Sequence, residues 1–426
     1  MTLLREDATR ASGTHLRGPL SHLVEQLWAP ALATGRVRLD LGSPPPPGWR
    51  EVESYLVVPS AHRAALLLPH HPPHATAGAL LNYRGLRRPA TNAQRGLLGA
   101  VAQTGVPLPL PRLSLSTPTP SDPADDSLLP LAHLARRLGL DEVYASIGIR
   151  TGANRKATLQ LVDASGRPRG FAKLAWDPAS SSGVRREQRA LTDPAGSGSA
   201  RAPRLLASGE LNGWPYLVTE PLPLRSRGVR AGVPAPSPQE LFGLCPLARR
   251  CRIADTGQFR ALRDRVSGSS YDAAGRSVLE LAADLLDAVA RSDVEVPVTR
   301  RWHGDFTPWN CARDEDGSLW SWDWECSEPD AVAGLDAVHW HATTRTERGR
   351  ALDGGVLHEA HVAAQGVLVA AGVPRSMHPR VTALYAATLA ERACAWSTTG
   401  GWEREFVLPH QLVDLLTAAR SLVDRT

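Results

Sequence analysis

The sequence has 426 residues, of which 42% are hydrophobic and 21% charged, and its formal net charge is +5. This length favours two or three domains, and this composition excludes a largely disordered or collagen-like chain. No apolar run approaches eighteen residues, so we expect no transmembrane helix and no membrane partner.

Neither the cysteines nor the charges indicate an extracellular or a nucleic-acid-binding protein. The five cysteines form no CxxC pair, and the N-terminus lacks the basic-then-apolar pattern of a signal peptide. A small, odd set of cysteines favours a reducing compartment, so we expect a cytoplasmic protein. No run of five basic residues occurs, and nucleic acid is therefore not an expected partner.

Residues 1–130 predict a small N-terminal α/β extension that ends in a linker. Apolar segments separated by turn residues predict two strands and then two short helices, at 51–60, 63–69, 75–83 and 92–103. Pro, Ser, Thr and Asp dominate 106–130, which predicts an exposed Pro-rich linker. A protein partner that binds this extension is an open alternative.

Residues 131–221 predict a small antiparallel sheet with one helix against it. Five strand-like segments with turn residues between them surround a single helical segment, in the order β-β-β-α-β-β. The strands are expected at 143–150, 156–163, 170–176, 201–210 and 214–222, and the helix at 184–193.

From residue 222 to residue 426 the sequence is mainly helical. Apolar residues recur at helical spacing along 277–291, and three more helical stretches follow, at 353–371, 379–396 and 406–423. The chain therefore predicts an α+β fold in three parts: an extension at 1–130, a sheet-containing part at 131–221 and a helical part at 222–426.

The basic residues are unusually uneven. Of the 48 lysines and arginines, 46 are arginines, and the two lysines are Lys156 and Lys173. Where arginine replaces lysine almost everywhere, a remaining lysine marks a site that needs a compact ammonium group rather than a planar guanidinium. This argument favours a functional role for Lys173. For Lys156 we favour an exposed position on a strand over a contact with phosphate.

The segment 302–325 carries the strongest chemical signal. Asp305 precedes Asn310 by five positions, and Asp323 follows thirteen positions later. Carboxylate and amide oxygens are ligands that Mg²⁺ prefers, and a carboxylate can orient a hydroxyl and take its proton. A D-x-x-x-x-N spacing followed by a metal-binding Asp is that of a kinase catalytic loop. The segment therefore indicates phosphoryl transfer, with Asp305 as base and Asn310 and Asp323 as Mg²⁺ ligands.

An alternating pattern follows this loop. Along 319–325 the tryptophans at 320, 322 and 324 fall on one face and Asp323 on the other, which predicts one continuous strand. The acidic turn before it, at 314–317, predicts a hairpin. We expect this hairpin to present Asp323 opposite Asn310.

The HGD motif at 303–305, Asn310 and the DWE motif at 323–325 together resemble the signature of the aminoglycoside phosphotransferase / choline kinase family. The resemblance covers roughly residues 140–400. It implies a protein-kinase-like fold of two lobes, with ATP and Mg²⁺ as cofactors. It also implies that His303 braces the catalytic loop and that Asp336, further along the chain, is structural.

The resemblance extends to residues that contact the nucleotide. It places Lys173 on the nucleotide phosphates, and Glu187, fourteen residues later, on the next helix as its ion-pair partner. The loop 148–155 would cover the phosphates, although it is not G-x-G-x-x-G. The remaining implied contacts are Thr151 and Asn154 in that loop, and Glu220 and Leu222 in a hinge that binds adenine through backbone groups.

Two functions are consistent with these residues. The first is an ATP-dependent kinase that phosphorylates a hydroxyl of a small molecule, such as an antibiotic, a sugar or an amino alcohol. The second is a catalytically weak pseudokinase that senses nucleotide or acts as a scaffold through residues 1–130. A protein kinase is less expected because little chain separates Asp323 from Asp336. The Arg-rich segment 225–266 slightly favours an anionic or neutral acceptor.

Overall fold

The computed structural model describes residues 16, 18–82, 89–120, 127–149, 156–192, 200–229, 234–268, 271–402 and 407–426. The chain forms two compact units: unit 1 consists of Met1–Gln188 and Arg204–Leu224, and unit 2 of Arg189–Pro203 and Arg225–Thr426. In the described part, no helix combines the length and the apolar character needed to cross a bilayer. The domain boundaries at 130 and 221 remain predictions.

Strands are numbered along the whole chain. They are β1 Arg38–Leu41, β2 Trp49–Val58, β3 Leu66–Pro69, β4 Arg112–Pro118, β5 Tyr144–Gly148, β6 Ala157–Val162, β7 Pro168–Leu174, β8 Ala200–Arg201, β9 Leu205–Leu211, β10 Trp214–Thr219, β11 Arg227–Gly228, β12 Leu247–Arg252, β13 Glu295–Trp302, β14 Cys311–Arg313, β15 Leu319–Ser321 and β16 Glu328–Val332.

Helices are numbered in the same way. They are α1 Pro19–Ala33, α2 Pro73–Leu81, α3 Pro89–Gln103, α4 Pro130–Leu138, α5 Pro178–Thr192, α6 Pro238–Leu244, α7 Gly257–Gly268, α8 Ala273–Ala290, α9 Leu335–Glu347, α10 Gly354–Ala370, α11 His378–Gly400 and α12 Pro409–Asp424.

Unit 1 is built on an antiparallel sheet of nine described strands, in the order β1-β4-β2-β3-β5-β6-β7-β10-β9. The predicted order within 131–221 is confirmed, since β5, β6 and β7 precede α5, and β9 and β10 follow it. The sheet is larger than predicted because strands from the first 120 residues continue it. The junction is the pairing of β3 with β5, where Leu67 lies opposite Ile147.

The prediction of an exposed linker over 106–130 is wrong for β4. This strand lies between β1 and β2, and Leu113 and Leu115 are fully buried in the unit 1 core. Ser114 and Ser116 are equally buried on the other side of the strand. Because small hydroxyl residues fill one face, the composition resembles that of a linker although the alternation is that of a central strand.

Helices cover both faces of the unit 1 sheet. On one face α1 places Leu23, Leu27 and Trp28 in a core that contains Leu159 and Leu161 of β6. On the other face, apolar residues of α2 pack against apolar residues of β2, β3 and β6. Alternate residues of each strand are therefore buried on opposite faces, which explains why these short apolar runs form strands.

Unit 2 is mainly helical, as predicted. Helices α8, α10, α11 and α12 match the four predicted stretches, and their apolar residues share one core that includes Leu285, Leu357, Leu384 and Leu416. An antiparallel sheet of β12, β13 and β16 lies in the same unit and was not predicted as a sheet. Its central strand, β13, ends immediately before the HGD motif.

Candidate active site

Asp305 lies in the loop between β13 and a short 3-10 helix, Pro308–Asn310. Its side chain is half-buried, and each carboxylate oxygen has its own neighbour. The Nδ2 group of Asn310 donates to Oδ2 at 2.8 Å and to the Asp305 carbonyl at 3.0 Å. The Nε2 atom of His339 lies 3.2 Å from Oδ1. These contacts hold the carboxylate in one orientation while leaving part of it open to solvent.

Asp336 fixes the backbone of the catalytic loop. Its Oδ2 accepts the N–H of His303 at 2.8 Å, and its Oδ1 accepts the N–H of Gly304 at 3.0 Å. Gly304 has a φ of 80°, and a Cβ there would lie 2.2 Å from the carbonyl oxygen of Cys326. The loop thus requires glycine at this position. The geometry agrees with the structural role expected for Asp336.

His303 connects the catalytic loop to the chain before Asp323. Its Nδ1 accepts the N–H of Asp305 at 3.2 Å, so its Nε2 carries the proton and donates to the carbonyl of Trp322 at 3.1 Å. Burial lowers the pKa of His303, which keeps the ring neutral. The ring also packs on Trp324, with centroids 4.4 Å apart. These contacts connect the loop to the segment before Asp323, and a bracing role for His303 stays a prediction.

The continuous strand predicted over 319–325 is wrong beyond Ser321. Strand β15 ends there, and a 3-10 helix, Trp324–Cys326, begins after Asp323. Asp323 adopts the left-handed conformation, with φ at 71°, which is uncommon for a residue with a Cβ. This turn breaks the alternation that the tryptophan spacing suggested. A residue in such a strained backbone conformation persists only where the surrounding structure holds it, and such residues cluster at functional sites.

Asn310 and Asp323 supply oxygens that fit Mg²⁺. The amide nitrogen of Asn310 faces Asp305, so its Oδ1 is the atom available to a cation. The N–H of Trp322 donates to the carbonyl of Asn310 at 3.0 Å, which holds the two segments together. In the described residues, no group of three or more His, Cys, Asp or Glu is placed to hold a metal. A cation here would therefore complete its oxygen shell from phosphate and water, as Mg²⁺ commonly does.

His339 and Tyr385 also belong to the surroundings of Asp305, and neither was predicted from the sequence. The Tyr385 hydroxyl lies 3.2 Å from His339 Nδ1, and burial raises the pKa of Tyr385, so the phenol stays protonated. The phenol can then donate to Nδ1, which leaves the N–H of Nε2 to donate to Asp305. A signal for His339 existed, because Asp336 and His339 are three apart on α9 and both face the loop. Tyr385, on α11, gave no such signal.

In unit 1 the predicted Lys173–Glu187 ion pair is present. Lys173 is on β7 and Glu187 on α5, and Nζ lies 2.5 Å from Oε1. Both residues are buried, at 8% and 2% exposure. A carboxylate in this position orients the ammonium group, which is what the nucleotide-binding prediction requires of the pair.

Lys156 is buried, not exposed as predicted. Its exposure is 2%, and it directly precedes β6. Lys173 lies opposite Thr158 in the β6–β7 register, so Lys156, two residues before Thr158, falls on the same face of the sheet as Lys173. The two lysines of the chain are thus close neighbours in unit 1.

Two of the remaining residues predicted to contact the nucleotide, Glu220 and Leu222, follow strand β10. Glu220 comes directly after β10; its N–H donates to the carbonyl of Arg204 at 2.9 Å, and its carboxylate accepts from the Arg204 side chain. That N–H is therefore engaged within unit 1. Leu222 is buried. Thr151 and Asn154 lie outside the described residues.

The arrangement of these elements confirms the expected fold class. An antiparallel sheet carries a lysine on its third strand after residue 131, and the following helix carries the paired glutamate. A mainly helical unit carries an HGD loop, an Asn and a later Asp. This is a protein-kinase-like α+β fold.

Comparison with known proteins adds likenesses of fold only. No family model and no curated protein matches the sequence. Among solved structures, one described as a fructosamine-3-kinase from Haemophilus somnus 129PT matches with 10% identity and a TM-score of 0.38, over 68% of this chain and 94% of that one. Monomeric WbdD matches with 15% identity and a TM-score of 0.20, over 62% of this chain and 44% of that one.

A mutant of the PknI kinase domain from Mycobacterium tuberculosis also matches, with 12% identity and a TM-score of 0.20, over 65% of this chain and 93% of that one. The chain spans less than two thirds of the length of the WbdD structures. At these identities and TM-scores, the likenesses carry no argument about substrate or activity.

Proposed function

We propose that this chain is an ATP-dependent phosphotransferase that transfers the γ-phosphoryl group to a hydroxyl of a small molecule, in the manner of the aminoglycoside phosphotransferase / choline kinase family. The observation that carries the proposal is the environment of Asp305. Its half-buried carboxylate is held from two sides by Asn310 and His339, and its loop is held by Asp336. Such fixed geometry is what a general base requires.

Asp305 would act on the acceptor hydroxyl. The hydroxyl oxygen forms a bond to the γ-phosphorus, the bond from that phosphorus to the β–γ bridging oxygen breaks, and ADP leaves. Asp305 receives the hydroxyl proton. Because positioning and charge stabilisation supply most of the acceleration in phosphoryl transfer, a rigid loop is more important here than a strongly basic group.

Asn310 and Asp323 would hold Mg²⁺ through oxygen atoms, and Lys173 would contact the phosphates of ATP. Bound Mg²⁺ neutralises charge on the phosphate oxygens during transfer. The Lys173–Glu187 pair supports this assignment, because both groups are buried and each would be costly to bury alone.

The chain after Asp323 favours a small acceptor. A 3-10 helix, strand β16 and then α9 at Leu335 follow in immediate succession, all in described residues. A protein kinase positions its peptide substrate with a longer activation segment between the corresponding points. The chain has no room for such a segment there, so we propose a small-molecule acceptor.

The decisive experiment compares the wild type with Asp305→Ala and with a control, Asp316→Ala, an exposed acidic residue on the following hairpin. We expect Asp305→Ala to lower phosphoryl transfer to a panel of small hydroxyl compounds by about 10² to 10⁴-fold, the usual contribution of a general base. Binding of Mg·ATP should remain largely intact, and the control should keep full activity.

Full turnover by Asp305→Ala would overturn the assignment of the base. A wild type that binds Mg·ATP and transfers phosphate to no acceptor would instead favour the pseudokinase alternative, in which residues 1–130 recruit a partner.

A further inference from the structure

The unit 1 sheet has an opening where β3 ends. Strand β2 is ten residues long, whereas β3 has four, and β3 pairs with β2 only from Tyr55 to Val58. Beyond Pro69 the edge of β2 and the start of β5 face each other without a described strand between them. This opening, which we name the sheet cavity, has a volume of about 390 Å³. That is within the range of natural small-molecule sites.

Glu53 lies in the wall of the sheet cavity and is 94% buried, since its exposure is 6%. Its Oε2 accepts from Tyr55 at 2.9 Å and from Trp28 at 3.2 Å, and its Oε1 accepts the N–H of Leu131 at 3.2 Å. These three donors are a phenol, an indole and a peptide group, and all are neutral. A carboxylate buried this deeply normally faces a cation.

The carboxylate also has unused capacity. Each carboxylate oxygen can accept about two hydrogen bonds. Among the described residues, Oε2 has two donors and Oε1 has one. Burial raises the pKa of Glu53 to about 7. The group is therefore poised to accept one more donor, and a positively charged donor is favoured most.

The rest of the sheet cavity suits an organic cation. Its wall includes apolar side chains from Leu129, Ala132 and Val143, which can cover a hydrocarbon body. Its charged lining residues are four carboxylates, Glu51, Glu53, Asp141 and Glu142, and one guanidinium, Arg50, so the balance of charge is acidic. Asp141 and Glu142 are exposed. Acidic groups around an opening raise the local concentration of cations.

We propose that the sheet cavity binds a small primary amine in its ammonium form, with Glu53 as the counter-ion and the apolar wall around the hydrocarbon part. The ammonium N–H donates to Oε1 of Glu53. This site lies within unit 1 and is independent of the phosphotransferase function proposed above, so either proposal can fail without the other.

The test uses the full chain and three ligands of one shape: phenethylamine, its neutral counterpart 2-phenylethanol, and the anion 3-phenylpropionate. Isothermal titration calorimetry at neutral pH, without nucleotide, should show the amine binding at least tenfold more tightly than either of the other two. In Glu53→Gln, which keeps the size and shape of the side chain, we expect the amine to lose at least tenfold in affinity.

Two further variants test the cavity itself and provide a control for the loss of a charge. Ala132→Leu narrows the sheet cavity without altering Glu53, and it should abolish amine binding. Asp316→Asn removes the charge of an exposed residue in unit 2, outside the sheet cavity, and should leave the affinity for the amine unchanged. The proposal is overturned if no ligand binds the wild type, if the alcohol binds as well as the amine, or if Ala132→Leu binds the amine unchanged. A Glu53→Gln protein that retains its native melting profile and full preference for the amine would also overturn it.

Discussion

The carboxylate of Asp305 receives its two neighbours from different parts of the sequence. Asn310 comes from the same loop, five residues later, whereas His339 comes from α9. His339 is in turn held by Tyr385 of α11. The proposed base is therefore positioned by a short series of hydrogen bonds that ends in the helical core of unit 2. Removing one member should disturb the orientation of Asp305 more than its charge.

His339→Ala should therefore lower the turnover number about tenfold to a hundredfold, because a small misplacement of a catalytic group costs this much. The Michaelis constant for Mg·ATP should stay within about twofold. His339→Gln retains an N–H group that can reach Asp305, so it should recover part of the loss. Steady-state kinetics, with ATP hydrolysis as the readout until an acceptor is known, checks this. Equal losses in both variants would show that His339 contributes packing rather than orientation.

The two lysines illustrate what a residue count can reveal. The arginine bias singled out Lys173 and Lys156, and the structure places both in the interior of unit 1, on one face of the sheet. The prediction that Lys156 is exposed is wrong. For a residue at the junction of a loop and a strand, the sequence pattern does not show whether its face of the sheet is covered by other elements. Burial of an ammonium group is costly unless it is paired, so both positions are under physical constraint.

At the scale of elements, Glu53 joins three segments that are far apart in the sequence. It lies on β2 and accepts hydrogen bonds from Trp28 of α1 and from the backbone at the start of α4. A buried carboxylate with only neutral donors is stabilising in its protonated form and costly in its ionised form. The packing of α1 and α4 on the sheet should therefore depend on pH.

Burial raises the pKa of Glu53 from 4.5 to about 7. Between these values the unfolded chain releases a proton that the folded chain retains, so the free energy of unfolding falls as the pH rises through this window. The loss amounts to about 3 kcal/mol and is complete above pH 7.

Glu53→Gln should lack this loss, so the free energy of unfolding of the wild type should fall relative to that of Glu53→Gln between pH 5 and pH 8 in urea denaturation. The exposed control Glu142→Gln should track the wild type. A constant difference between wild type and Glu53→Gln at both pH values would contradict the assignment.

Helices and strands whose apolar residues recur at regular spacing were predictable from the sequence. Elements whose composition is typical of another kind of structure were not. The helices of unit 2 and the strands within 131–221 follow from spacing alone. Strand β4 was missed because serines and threonines pack one of its faces. The end of β15 was missed because the chain turns at Asp323, directly after Trp322, whose backbone is hydrogen-bonded to His303 and Asn310. The motif at 302–325 was predictable because its HGD, Asn and DWE residues lie within one short segment. His339 and Tyr385 are distant in the sequence and reach Asp305 only through tertiary packing.

At the scale of the whole molecule, an excess of basic residues does not by itself create a surface that binds anions. The lean towards an anionic or neutral acceptor relied on the Arg-rich segment 225–266. In the structure Arg249 pairs with Asp330, Arg252 with Asp255, and Arg225 with Glu315. Exposed pairs of this kind contribute little stability, but they neutralise the charge that would attract an anion. These pairs weaken the argument from the segment, and an anionic or neutral acceptor stays a prediction.

The groups proposed to bind Mg·ATP are Lys173, Asn310 and Asp323. A ligand that binds only the folded state stabilises it by about 2.7 kcal/mol at one hundred times its Kd. Mg·ATP at that concentration should raise the Tm of the wild type by several degrees. In Asp323→Ala, and in the wild type with EDTA in place of Mg²⁺, the shift should largely disappear because the cation loses a ligand or is absent. Lys173→Met should reduce the shift as well, whereas the exposed substitution Asp316→Ala should not. A wild type whose Tm is unchanged by Mg·ATP would show that Asn310, Asp323 and Lys173 do not bind Mg·ATP. The rigid loop would then be a structural feature, and the sheet cavity would be the stronger lead to function.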